Sequence, residues 1–156
     1  LIVLNPEMDP DFAYQQARTA AALGTGGLQG TGILNGSHVS VPEIYNDFII
    51  AFVGESSGFM GCLGIILLLL AIAFKILFNS SVAKDAVGRN VCVGVFAMFI
   101  GQTFINLGMA IGLLPVIGVT LPLISSGGTS VISLYLGLGL VLSVYMHSNT
   151  SLFQDK

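Results

Sequence analysis

At 156 residues the chain has room for one ordinary domain, yet only 8% of it is charged and its mean hydropathy is +0.90, against about 25% charge in soluble proteins. That pairing excludes a water-soluble globular domain and points to an all-α, polytopic membrane protein. The formal net charge of -3 is too small to select a partner, and without a basic tract or aromatic-basic interleaving no nucleic acid is expected among the partners.

Residues 1–4 read as the tail of a helix that begins upstream, and the chain as a C-terminal fragment. Residues 1–46 then form a large polar, glycine-rich loop too hydrophilic to span. Five of the eight acidic residues fall between Glu7 and Asp47, beside one base, Arg18. Within the loop, residues 11–23 carry Phe12, Ala13, Ala17, Ala20, Ala21 and Leu23 at roughly helical spacing, which predicts a short amphipathic helix on the membrane surface. The glycines of residues 24–36 permit either a flexible loop or a close approach to a ligand. A phosphate-binding GxGxxG would need glycine where Gln29 stands, and no Walker lysine follows.

Ser40 to Glu43 fits a capping box, with Val39 against Ile44 as its hydrophobic staple, so a helix is expected to start there. Glu43 has either that capping task or a place in a site. Asp47 and Glu55 follow at the mouth of an apolar run, residues 59–78. Carboxylates at a lipid boundary are costly unless they face protein, water or a partner, so Asp47 reads as a functional residue rather than an interfacial cap. A continuous helix over residues 47–78 would rise about 48 Å, more than the hydrocarbon core of about 30 Å. Glu55 would then lie about 12 Å deeper and about 80° round. Gly54, Gly58, Gly61 and Gly64 give this helix a stripe that another helix can approach closely.

Residues 79–90 form a polar turn flanked by Lys75, Lys84 and Arg89, cytoplasmic by the positive-inside rule. The next span is residues 91–114. Its Gln102 and Asn106 share a face and suit interhelical hydrogen bonds better than substrate contact. Residues 115–128, PVIGVTLPLISSGG, hold two prolines and three glycines and should form a re-entrant turn, tolerable only against protein or a watery cavity. A third span, residues 129–147, leads to a cytoplasmic tail, residues 148–156. Counting spans puts the Asp47 loop and the Pro115 turn together on the external face. Cys62 and Cys92, both in apolar runs without a second ligand at metal spacing, read as packing residues.

Several stretches in order, YQQ (residues 14–16), ALGTGGLQGTG (22–32), PE...NDFI.AF.GE..G (42–58), FINLGM..GLLPV.GV.LPL (104–123) and S.GG.S (125–130), resemble the SEDS family of shape, elongation, division and sporulation proteins. Its members are bacterial membrane glycosyltransferases that polymerise the lipid-linked peptidoglycan precursor, lipid II. The resemblance implies the last three of about ten spans, in the bacterial cytoplasmic membrane, with an extracytoplasmic active site. It carries the family's proposed catalytic aspartate onto Asp47. Family members often read His-Thr-Asp-Phe where this chain has Tyr45, Asn46, Asp47 and Phe48; a Glu-Glu pair becomes Glu55-Ser56, and Ser-Tyr-Gly-Gly becomes Ser125 to Gly128. Glu55, Glu43, Arg18, Ser125, Gly127 and Gly128 are the supporting or substrate-lining candidates. A divalent cation between Asp47 and the substrate diphosphate is left open, and a class B penicillin-binding transpeptidase is the partner the family implies. The competing readings are a lipid-linked precursor flippase or secondary transporter, which would place its carboxylate near the midplane, and a scaffold for other cell-wall proteins.

Overall fold

The computed structural model describes residues 10–32 and 47–149, with α1 at Pro10–Gly26, α2 at Ile49–Val82, α3 at Ala86–Ala110 and α4 at Gly128–Asn149. The expected capping box at Ser40 to Glu43 and its staple, with Glu43 itself, lie outside the described residues. Three of the helices, α2, α3 and α4, are long and apolar enough to cross a membrane. Only 17%, 33% and 17% of their most apolar stretches are buried within the chain, and Phe74, Phe104 and Val87 are 74%, 73% and 75% exposed. Such surfaces fit lipid or further protein rather than water.

The helices form a hairpin and a return. Apolar residues of α2 (Leu69, Ala73, Ile76), α3 (Cys92, Phe99) and α4 (Leu134, Val141) meet in one buried cluster that Leu121 closes from the connecting segment. The chain turns from α2 to α3 within three residues. Ala83 N–H bonds the Asn79 carbonyl (3.1 Å) and Arg89 N–H the Asp85 carbonyl (3.1 Å). At its far end α3 stops at a left-handed Gly112 (φ 74°), where Leu113 N–H returns to the Gly108 carbonyl (2.8 Å) and Gly112 N–H to that of Met109 (3.1 Å). This paired return satisfies the last carbonyls of the helix, and Pro115 prevents its resumption.

The expected short helix forms as α1: Gln16, Thr19, Ala22 and Gly26 turn toward the bundle, with Ala22 on Phe48, Ala51 and Met109 and Leu23 beside Ile50 and Cys62, while Ala17, Ala20 and Ala21 point outward. One expectation changes, at α2, which does not run unbroken from Asp47. Asp47 lies in a turn ahead of Ile49, and Gly58 (φ 69°, ψ -167°) breaks the helix between residues 49–57 and residues 59–82.

The break is filled by the glycine-rich loop. In an unbroken helix Phe59 and Met60 would donate to Glu55 and Ser56. Here Phe59 N–H donates to the Gly27 carbonyl (2.9 Å) and Met60 N–H to that of Leu28 (3.4 Å). The freed carbonyls of Glu55 and Ser56 accept from Thr31 N–H (2.9 Å) and Gly32 N–H (3.0 Å). Two helical hydrogen bonds are thus exchanged for four with the loop. Backbone must meet backbone for this to happen: a Cβ at Gly26 would strike the Gly54 carbonyl, and one at Gly30 the backbone of Ser56. Residues 27–32 are therefore a packed plug rather than a flexible loop.

Candidate functional site

Asp47 sits at the end of the bundle where α3 stops and α4 starts. The residue after it, Phe48, is wholly buried with Ala22, Ala51 and Met109, which anchors the turn and leaves Asp47 half-buried at its rim. From within α3 the fully buried Asn106 donates through Nδ2 to two carbonyls, those of Asp47 (2.7 Å) and Val119 (2.7 Å). One side chain thereby stitches the aspartate turn to the segment after α3. Gly118 (φ 70°) lies beside the carboxylate, where a Cβ would stand 3.7 Å from Asp47 Oδ2. The absence of a side chain keeps that flank open to a ligand. Asn106 is thus a bridge between two loops, not one half of an interhelical pair.

That segment is held at several other points. Gln16 Nε2 of α1 donates to the Leu114 carbonyl (2.6 Å), and Ile117 N–H meets Met109 Sδ (3.3 Å). Ser125 closes a small turn reciprocally: Leu121 N–H donates to Ser125 Oγ (2.9 Å), and Ser125 N–H to the Leu121 carbonyl (3.1 Å). Inside this turn Leu123 has φ 65°, the one left-handed non-glycine among the described residues. It follows Pro122 in a turn closed by Ile124 N–H to the Leu121 carbonyl (3.4 Å), a position usually given to glycine.

Not every sequence candidate meets Asp47. Glu55 is 3% exposed, within the first part of α2 at the plug, where its carbonyl accepts both Thr31 N–H (2.9 Å) and Thr31 Oγ1 (3.0 Å). Arg18 stands on α1 with Nε on the Tyr14 hydroxyl (2.9 Å) and its guanidinium 5.2 Å from that ring. Ser125 is buried in its own turn, Gly127 accepts from Val131 N–H (2.9 Å) in the first turn of α4, and Gly128 opens that helix. Among the described residues no three His, Cys, Asp or Glu side chains gather where they could hold a metal ion. Sequence reasoning missed Gln16, and missed the partners of Asn106, because both bond to carbonyls distant in the chain.

The arrangement is a single carboxylate at the edge of an apolar bundle, next to an open glycine flank and braced from behind by an amide. A carboxylate so held can accept a proton.

Comparison with known proteins gives this geometry a context. The chain is 36% identical over 151 residues to peptidoglycan glycosyltransferase MrdB of Escherichia coli K12, covering 94% of this chain and 41% of that protein. It is 36% identical over 148 residues to stage V sporulation protein E of Bacillus subtilis 168, covering 93% and 40%. Identity to a probable peptidoglycan glycosyltransferase FtsW of Geobacter metallireducens is 35% over 147 residues, covering 92% and 39%. The chain therefore spans about two fifths of the length of these relatives. A solved chain described under "Structural coordination of polymerization and crosslinking by a peptidoglycan synthase complex" superposes with a TM-score of 0.75 at 29% identity, covering 99% of this chain and 41% of that one. The FtsW/RodA/SpoVE family model, described as "Cell cycle protein", matches residues 1–150, and the chain belongs to that family.

Proposed function

We propose that the full-length protein is an inverting glycosyltransferase that polymerises lipid II into glycan strands, with Asp47 as its general base. The observation that carries this reading is the Asp47 turn, ahead of α2 and bridged by Asn106 to Val119. Support also comes from the relatives named as peptidoglycan glycosyltransferases. Making a β-1,4 link from an α-linked sugar diphosphate inverts the anomeric carbon. The acceptor 4-hydroxyl must attack opposite the leaving diphosphate, and one carboxylate suffices to take its proton, a contribution of about 10²- to 10⁴-fold. The boundary position suits a substrate whose sugars are in water and whose tail is in hydrocarbon.

In this reading Glu55, buried at the plug, and Ser125, Gly127 and Gly128, in the turn that leads into α4, support the Asp47 end of the bundle rather than contact the reacting groups. Arg18 is the cation this chain offers toward the leaving diphosphate, and the remaining length of the protein supplies more. The protein acts in the bacterial cytoplasmic membrane with Asp47 on the extracytoplasmic side, beside a class B penicillin-binding transpeptidase. The solved relative's description, which joins polymerization to crosslinking in one complex, supports that partner. The test is Asp47→Asn in the full-length protein. Polymerisation of lipid II should fall at least 100-fold, in line with a lost general base, at unchanged expression; retained polymer synthesis removes Asp47 from the role.

A second reading, movement of a lipid-linked precursor across the bilayer, draws on the broken α2 and the buried Glu55, since transporters use discontinuous helices. The plug weighs against it, because the break is already filled by the chain's own backbone. Purified protein that moves lipid II across vesicles without forming polymer would favour transport.

A further inference from the structure

The Asp47 turn and the segment after α3 are tied together twice, by two different helices. From α3, Asn106 donates to the Asp47 and Val119 carbonyls (2.7 Å each). From α1, two buried residues reach the same two pieces of chain. Gln16, 2% exposed, donates through Nε2 to the Leu114 carbonyl (2.6 Å). Ala22, wholly buried and about 9 Å further along the helix, packs on Phe48 in the cluster that also holds Ala51 and Met109. Leu114, Val116 and Val119 lie against that same cluster. The contacts close a circuit: Asp47 to Asn106, Val119 back along the chain to Leu114, Gln16 along α1 to Ala22, and Phe48 to Asp47 again.

The links of this circuit differ in kind. Ala22 and Phe48 meet by apolar packing, which has no direction of its own, whereas the Gln16 and Asn106 amides are directional and fix position. With α3 ended at Ala110 and Pro115 following, no continuing helix offers the Leu114 carbonyl a donor. A carbonyl only accepts, so Gln16 must present its NH2 group there. The bond falls four positions before Gly118, the residue that flanks the Asp47 carboxylate.

We infer that Gln16 is a positioning residue for the reaction at Asp47. Through the Leu114 carbonyl it sets the separation between the Asp47 carboxylate and the Gly118 flank, and with it the place where an acceptor hydroxyl can stand. The inference rests on the reading of Asp47 as general base. Gln16 itself touches no reacting atom. Its effect belongs in kcat, because a displaced base loses its alignment with the hydroxyl while the surfaces that hold the substrate stay, and a misplacement of about 1 Å can cost on the order of 10²-fold.

The experiment measures lipid II polymerisation by the full-length protein in detergent, with kcat and KM separated and the melting midpoint read on the same samples. Gln16→Met keeps the length of the side chain and removes the donor; kcat should fall about 10- to 100-fold with little change in KM. Gln16→Asn, one methylene short of the carbonyl, gives the same test if the methionine variant does not fold. Gln16→Met combined with Asn106→Ala should be about as slow as the slower single variant, because a circuit opened once is already open, whereas independent contacts would multiply their losses. Thr19→Ala is the control for stability alone. Thr19 is wholly buried on the same helix, but its hydroxyl donates to the Gln15 carbonyl of α1 itself (2.9 Å), so its loss should lower the midpoint and leave kcat nearly unchanged. Wild-type kcat in Gln16→Met beside an inactive Asp47→Asn overturns the inference and leaves the base reading standing; polymer synthesis by Asp47→Asn removes both. Losses that multiply in the double variant overturn the circuit. So does a fall in kcat with Thr19→Ala as large as that with Gln16→Met, which would make Gln16 an ordinary contributor to stability.

Discussion

Asn106 shows how much of the site rests on one uncharged side chain. Its amide is the donor for two backbone carbonyls, and removing it leaves both short of a partner inside the bundle, at about 1–3 kcal/mol for each group left unsatisfied. Asn106→Ala should therefore lower the unfolding midpoint of the detergent-solubilised full-length protein and reduce kcat with little change in KM, because the Asp47 turn loosens while the substrate surface remains. Asn106→Asp keeps the shape but has no donor, and should be no better; recovery of activity by aspartate would contradict the bridging role. Leu123 offers the opposite sign. Its left-handed conformation costs a leucine roughly 1–2 kcal/mol, and Leu123→Gly should raise thermal stability by up to about 1 kcal/mol after the extra chain entropy of glycine is subtracted. At Gly118 the contact a Cβ would make, 3.7 Å, is ordinary, so Gly118→Ala should cost only the backbone strain, again about 1–2 kcal/mol, without a clash against Asp47. Asp47 stood out in the sequence because a carboxylate beside an apolar run demands a reason. The brace behind it was not, since Asn106 reaches carbonyls 59 and 13 positions away and nothing local distinguishes it from an ordinary interhelical amide.

Among the elements, the spans were the easiest to read, because runs of apolar residues bounded by polar turns leave little else for the backbone to do in lipid. The helix α1 was legible, but its contact face was not: Gln16 reaches the Leu114 carbonyl and Ala22 packs on Phe48, Ala51 and Met109, partners that local periodicity cannot name. The break in α2 was hidden for the same kind of reason. Gly58 was one member of a glycine stripe, and its left-handed conformation makes sense only with residues 27–32 in place. The interlock predicts a sharp contrast between a loop glycine and a helix glycine. Gly30→Ala places a Cβ against the Ser56 backbone and should abolish stable folding, seen as loss of the monodisperse full-length protein on size exclusion. Gly64→Ala meets nothing within 4 Å and should be neutral or stabilising by about 0.5–1 kcal/mol, the usual gain of alanine over glycine in a helix. Equal behaviour of the two variants would mean that the plug is not what holds α2 in its broken form.

For the molecule as a whole, the polarity of its two ends is the property that sets its orientation. Asp47 and Glu55 lie toward one end of the bundle and Lys75, Lys84 and Arg89 toward the other, the pattern that places basic turns in the cytoplasm. The proposed orientation can be read by labelling, since Cys62 and Cys92 are both buried and give little background. A membrane-impermeant maleimide should modify Leu113→Cys in intact spheroplasts and Lys84→Cys only after permeabilisation; the reverse pattern would put Asp47 in the cytoplasm and end the polymerase reading.

The exchanged hydrogen bonds at the α2 break also bear on how the chain is made. Hydrocarbon can complete a regular helix by itself, but it has nothing to offer the amides of Phe59 and Met60 or the carbonyls of Glu55 and Ser56. A helix that needs nothing outside itself begins after Met60, so the insertion machinery can release residues 61–82 into the bilayer first, whereas residues 49–60 should wait at the aqueous edge until the preceding loop docks. Biogenesis of this span should therefore be a two-stage event, with the Asp47 turn the last part of it to find its place.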